Sequence, residues 1–168
     1  MVANLEVRII GIDPGLEHTG YGVISVSGNR HTFIAAGRIS TSPSLPLPQR
    51  LAKIAEGLHA IITQHQPTHA AVEEVFVNSN ARSSLKLGQA RGVSLLVPTQ
   101  CGLPVAEYAA RLVKQSIVGK GNAEKTQVAH MVKVLLPASS ASSADAADAL
   151  AVALTHAHHL SFARILKS

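Results

Sequence analysis

A run rich in valine and isoleucine, Leu5 to Asp13, stops abruptly at Asp13-Pro14-Gly15, and it limits the possible folds of this chain more than any other feature. Apolar residues on both sides of such a strand need cover on both faces, so it belongs at the centre of a sheet and ends in a tight turn. Thr19 to Val26 and His31 to Ser40 alternate as two further strands, with Gly28-Asn29 as the turn between them. The opening is therefore expected to be an antiparallel meander.

Pro43, Pro46 and Pro48 form a stiff linker, after which Leu51, Ile54, Leu58, Ile61 and Ile62 recur at helical spacing until Pro67. Ala70 to Val75 reads as a strand and Asn80 to about Leu96 as a helix, with Gly88 and Gly92 on one face and Pro98 ending or kinking it. Leu103 to Tyr108 is the last strand, followed by a short helix to Val118, the loop Gly119-Lys120-Gly121-Asn122, and helices over Ala123 to Leu135 and Ala144 to Ile165. This order predicts an α/β fold: a mixed sheet of five strands, three antiparallel and then parallel ones, flanked by helices on both faces. A ribonuclease H-like fold has this order. With 168 residues and 46% hydrophobic content, the expectation is one domain over 1–168, with a flexible tail after about residue 160.

A net charge of +5 on a chain with only 15% charged residues favours a polyanionic partner. Cys101 is the only cysteine, which excludes an intramolecular disulfide framework and a cysteine-rich zinc site. The first twelve residues carry Glu6 and Arg8 and do not read as a signal peptide, and no apolar run reaches membrane-spanning length. A cytoplasmic protein without a membrane partner is expected.

Five acidic residues stand where chemistry could use them. Asp13 sits at a strand end on rigid backbone. Glu73 and Glu74 interrupt an apolar strand, so one must face each side of the sheet, and alternation alone does not say which faces inward. Asp145 and Asp148 are three apart at a helix start, on one face, among alanines small enough for close approach to a sheet. Carboxylates gathered within about 4 Å repel by about 4 kcal/mol per pair at an effective dielectric of about 20. Such a cluster calls for hard divalent cations, Mg²⁺ first and Mn²⁺ as its substitute. Two ions about 3.5–4 Å apart would support phosphodiester hydrolysis.

Gly11-Ile12-Asp13-Pro14-Gly15 and Thr19-Gly20-Tyr21-Gly22 resemble the opening of the RuvC family of Holliday junction resolvases. Glu73-Glu74-Val75-Phe76, Leu85-Lys86-Leu87-Gly88-Gln89-Ala90-Arg91-Gly92, Glu107-Tyr108-Ala109-Ala110, Val113-Lys114-Gln115, Ala123-Glu124-Lys125 and Asp145-Ala146-Ala147-Asp148-Ala149-Leu150-Ala151 are similar to later blocks of that family in the same order. The resemblance implies Asp13, Glu73, Asp145 and Asp148 as catalytic, metal-binding acids and prefers Glu73 to Glu74. It further implies four-way junction DNA as substrate, two Mg²⁺ per site, 5′-phosphate products, a homodimer, and a branch-migration motor as partner. Pro98 and the tail after His159 depart from the family pattern.

Arg82, Lys86, Arg91, Arg111, Lys114, Lys120, Lys125 and Lys133 form a basic stretch suited to phosphates. By resemblance, Lys114 and Lys125 would lie beside the acids, and Phe76 would stack on an unpaired base. His156, His158 and His159 read as surface decoration, because His156 lies about 16 Å along a helix from Asp145. Gly88 and Gly92 would admit either close packing on the sheet or the approach of a second copy. Two rival readings are an actin-like nucleotide hydrolase, suggested by Asp13-Pro14-Gly15 but needing a second domain, and a junction-binding module without catalysis. A proofreading-type exonuclease would carry an acid where Gly15 stands.

Overall fold

The computed structural model describes residues 6–75, 79–139 and 143–165. In chain order the elements are β1 (Val7–Asp13), β2 (His18–Ser27), β3 (Arg30–Ser40), α1 (Leu47–His65), β4 (His69–Glu74), α2 (Ala81–Gln100), β5 (Val105–Ala109), α3 (Ala110–Val118), α4 (Lys125–Leu135) and α5 (Ala144–Ile165). The described strands form one sheet in the order β3-β2-β1-β4-β5. β1 pairs antiparallel with β2 and β2 with β3, whereas β4 runs parallel to β1 and β5 parallel to β4. The mixed sheet and the central place of β1 in it agree with the sequence reading.

Alternation along β1 divides the core. Ile9 faces α3, α4 and α5, joining Val113, Val128, Leu150 and Leu154, while Ile10 and Ile12 face α1 and α2, joining Ile54, Leu58 and Val97. Burying each such side chain stabilises the fold by roughly 1.5–3 kcal/mol, and both faces of the sheet are used.

Two helix boundaries differ from expectation. α1 begins at Leu47, before the first periodic residue, because Pro48 fits the first turn, where its missing N–H has no intrahelical partner to lose. α2 runs through Pro98 to Gln100, since the ring removes one bond close to the helix end and the Cys101 N–H still reaches the Val97 carbonyl at 3.0 Å. At the other end of α2, the Asn80 side chain caps the helix by accepting from the Arg82 and Ser83 N–H groups at 3.1 and 3.2 Å. α5 continues as helix past residue 160 to Ile165.

α5 is apolar around its girth, with Ala146, Ala147, Ala149 to Leu154 and Ala157 all buried, the pattern of a helix enclosed on all sides. It lies across β1 and β2 with its backbone on theirs. A Cβ added at Gly11 would collide with the Ala149 carbonyl oxygen and come within 2.6 Å of the Ala153 nitrogen. One added at Gly20 would collide with the Asp145 carbonyl oxygen. The helix seats only because those strand positions lack side chains. Gly11→Ala, which elsewhere in a strand would be neutral or mildly favourable, is expected here to cost about 1–3 kcal/mol. Urea denaturation should show a lower midpoint at an unchanged slope, while Val134→Ala at an exposed position of α4 should stay within about 0.5 kcal/mol of the parent.

Candidate active site

Asp13 ends β1 and Glu73 is the penultimate residue of β4. These strands run parallel with Ile12 opposite Val72, so the next residue on each brings the two carboxyls side by side at the carboxyl edge of the sheet. Chain order reverses at this point, with β2 on one side of β1 and β4 on the other, and open α/β sheets present their crevice there. The second turn of α5 brings Asp148 over the same edge. Asp13, Glu73 and Asp148 line one cavity of about 150 Å³ together with Lys114, Lys125, Ala110, Val113, Val128 and Ala151. Glu73 lines this cavity and Glu74 does not, which answers the question that alternation left open.

Charge in the cavity is balanced by a proton and an amine. Burial, reinforced by the hydrogen bond to Glu73 and by the charges of Glu73 and Asp148, pushes the Asp13 carboxyl up to about 9. The Asp13 and Glu73 carboxyls therefore share a proton between them. Burial also raises Glu73, against the opposing effect of that hydrogen bond. Lys125 Nζ donates to Asp148 Oδ2 at 3.2 Å, and the Asp148 charge raises the lysine above its ordinary value. Among the described residues, no three carboxylate, imidazole or thiolate groups converge into a finished cation cage. The donor set nevertheless fits a hard divalent cation. All three acids are oxygen donors, they are partly withdrawn from water, and one holds a proton it would shed in ordinary surroundings.

Asp145 does not line the cavity. Its Oδ2 lies 3.8 Å from Nη1 of Arg38 on the edge strand β3. Sequence reasoning missed Arg38, because nothing along the chain relates residue 38 to residue 145 until the register of β2 and β3 is known.

The predicted DNA-binding residues fall into three groups. Half-buried Lys114 and exposed Lys125 are at the cavity, and Lys120, which is exposed, lies between the helices that carry them. Arg82 and Lys86 are exposed on the first turns of α2, which starts just after β4 ends. Arg91 is ion-paired with Glu107, so its charge is partly spent within the fold. Phe76 lies outside the described residues.

The reading of the C-terminal histidines as surface decoration holds for His159, which is exposed, and is corrected for His156 and His158. His156 is 7% exposed, its Nδ1 shares a hydrogen bond with the Tyr108 hydroxyl at 2.7 Å, and its ring lies 5.5 Å from that of His69. Burial, helped by His69 and His159, lowers it to about 4, so it is neutral at physiological pH. His158 Nδ1 shares a hydrogen bond with the Ser116 hydroxyl at 3.0 Å. The reason is the enclosure of α5: a helix covered along most of its length leaves its later turns in contact with the sheet and α3.

A family model described as crossover junction endodeoxyribonuclease RuvC matches residues 9–156. A crossover junction endodeoxyribonuclease RuvC of Methylocella silvestris is 57% identical over 96% of this chain and 92% of its own length. The protein of that name from Afipia carboxidovorans is 53% identical over 96% of this chain and 94% of its own. Among solved structures, T. thermophilus RuvC in complex with Holliday junction substrate superposes with a TM-score of 0.87 at 34% identity, covering 94% of this chain and 96% of that one. With its ribonuclease H-like sheet and its acids at the carboxyl edge, this chain belongs to the RuvC family of crossover junction endodeoxyribonucleases.

Proposed function

We propose that this protein resolves four-way DNA junctions in recombination and repair by paired symmetric nicks, through metal-assisted phosphodiester hydrolysis. The observation that carries this reading is the meeting of Asp13, Glu73 and Asp148 in one cavity with Lys114 and Lys125. Its support from outside the molecule is the similarity to a RuvC held with Holliday junction substrate.

Asp13, Glu73, Asp145 and Asp148 would hold two Mg²⁺ ions, with Mn²⁺ as a substitute. When bound, such ions lower the pKa of an attacking water and neutralise charge on the departing 3′ oxygen, leaving a 5′-phosphate. The proton on Asp13 must leave before its carboxylate can serve as a full ligand. The ammonium groups of Lys114 and Lys125 present positive charge to the backbone phosphates, and Ala110, Val113, Val128 and Ala151 form an apolar wall that limits the water in the cavity. Arg82, Lys86, Arg91 and Lys120 extend the phosphate-binding surface, and Phe76 stacks on an unpaired base at the junction centre.

The protein acts as a homodimer, which gives the two identical sites that paired nicking needs. The exposed leucines Leu85 and Leu96 and the open positions Gly88 and Gly92 on α2 support a second copy there, since a Cβ at either glycine would meet nothing within 4 Å. The same openness tells against packing of those glycines on the sheet. A branch-migration motor in the bacterial cytoplasm completes the proposed setting.

The direct test incubates labelled four-way junction and linear duplex with the protein in Mg²⁺ or EDTA. Junction cleavage confined to Mg²⁺ is expected, and equal cutting of linear duplex would contradict the reading. Asp145→Asn should reduce cleavage by more than about 100-fold while junction binding in EDTA persists; loss of both in parallel would count against this assignment.

A second expectation concerns pH. The Asp13 carboxyl ionises near 3.8 in an ordinary setting and near 9 in the fold, so between these values the native state holds a proton that the unfolded chain has lost. Its contribution to the stability of the cation-free protein therefore falls as pH rises through that window. In EDTA, the thermal midpoint should drop from about pH 7 to about pH 9, a range above that of the buried histidines, and Asp13→Asn should flatten the drop. An identical pH profile for the two proteins would overturn this.

A further inference from the structure

We infer that Arg38 is a positioning residue for the hydrolysis, holding Asp145 in the cation-free protein and competing with the divalent cation for its carboxylate. The inference rests on the proposed role of Asp145 as a cation ligand. The geometry begins in the sheet. Arg38 on β3 pairs with Gly20 on β2, and Gly20 pairs with Asp13 on β1. Residues in register on neighbouring strands share a face, so Arg38 and Asp13 stand on the same side of the sheet, with the side-chain-free Gly20 between them. That gap is where α5 sets down Asp145, whose backbone carbonyl would meet any Cβ placed on Gly20. The Arg38 guanidinium thus comes within 3.8 Å of the Asp145 carboxylate.

Three properties of this pair suit a temporary hold. A guanidinium keeps its charge at all working pH and offers only donors, so it cannot share one carboxylate with a divalent cation without repulsion. Both partners are partly open, at 47% and 30% side-chain exposure, and a pair so exposed is weak enough to exchange. The arginine backbone is fixed in a hydrogen-bonded strand, so Asp145 is kept near the site before any cation arrives. Asp148 has an equivalent partner in Lys125. The two acids of the first turns of α5 are thus each held by a basic side chain from a different element.

The test measures Mn²⁺ binding to the DNA-free protein by electron paramagnetic resonance, for the parent, Arg38→Gln, Arg38→Lys and Asp145→Asn. Loss of a competitor in a partly exposed pair should tighten binding by about two- to fivefold in Arg38→Gln, with Arg38→Lys staying close to the parent. The Mg²⁺ concentration that half-saturates junction cleavage should shift down for Arg38→Gln in the same proportion. If Asp145→Asn weakens Mn²⁺ binding but Arg38→Gln binds as the parent does or less tightly, the role of Arg38 is overturned and the cation reading stands. If Asp145→Asn leaves Mn²⁺ binding unchanged, Asp145 is no ligand, and both the ligand assignment and this inference fall.

Discussion

The seating of α5 directly on the backbone of β1 and β2 is the contact on which the rest of the molecule depends. Helix and strand backbones approach this closely only where side chains are missing, and Gly11, Gly20 and Gly22 leave the gaps. Alanines on the helix supply the complementary surface, with Ala149 and Ala153 above Gly11. The same approach that closes the core carries Asp148 to the cavity occupied by Asp13 and Glu73. Packing and site geometry are therefore one problem: a substitution that lifts the helix also separates acids contributed by opposite ends of the chain.

The electrostatic state of the cavity follows from that closeness. Carboxylates withdrawn from water cannot all stay ionised without nearby positive charge. In the cation-free protein the balance is struck locally, by the proton that Asp13 shares with Glu73 and by the Lys125 amine on Asp148, and Asp145 has Arg38. Each of these partners is a weaker substitute for a doubly charged ion. The proposed hydrolysis requires them to yield, which links metal loading to proton release and to the movement of basic side chains toward phosphate.

Much of this was legible along the chain. The apolar Leu5 to Asp13 run demanded a covered central strand, and β1, Val7–Asp13, is one. Asp13 before Pro-Gly, and the Asp145 and Asp148 pair among alanines, marked local positions that the fold brings near one edge. Glu73 and Glu74 show where pattern reading stops, since alternation separates neighbours but does not say which face holds the site. Arg38 lay beyond reach because its partner is set by strand register and helix placement together. The histidines misled for a related reason: distance from Asp145 along the helix correctly separated His156 from the acids, yet it said nothing of the Tyr108 hydroxyl and His69 ring that enclose it. Pro98 reads along the chain as an end or a kink of the helix, yet α2 continues to Gln100, because a proline in a last turn forfeits only one bond.

The most direct measurement of the central claim is anomalous diffraction from crystals of this protein soaked in Mn²⁺. The account predicts density at the carboxyl edge of β1 and β4, with Asp13 and at least one of Glu73, Asp145 and Asp148 at coordination distance, about 2.0–2.2 Å for a hard divalent ion on carboxylate oxygen. Crystals of nuclease-active protein that show no Mn²⁺ there, or Mn²⁺ bound only elsewhere, would contradict it.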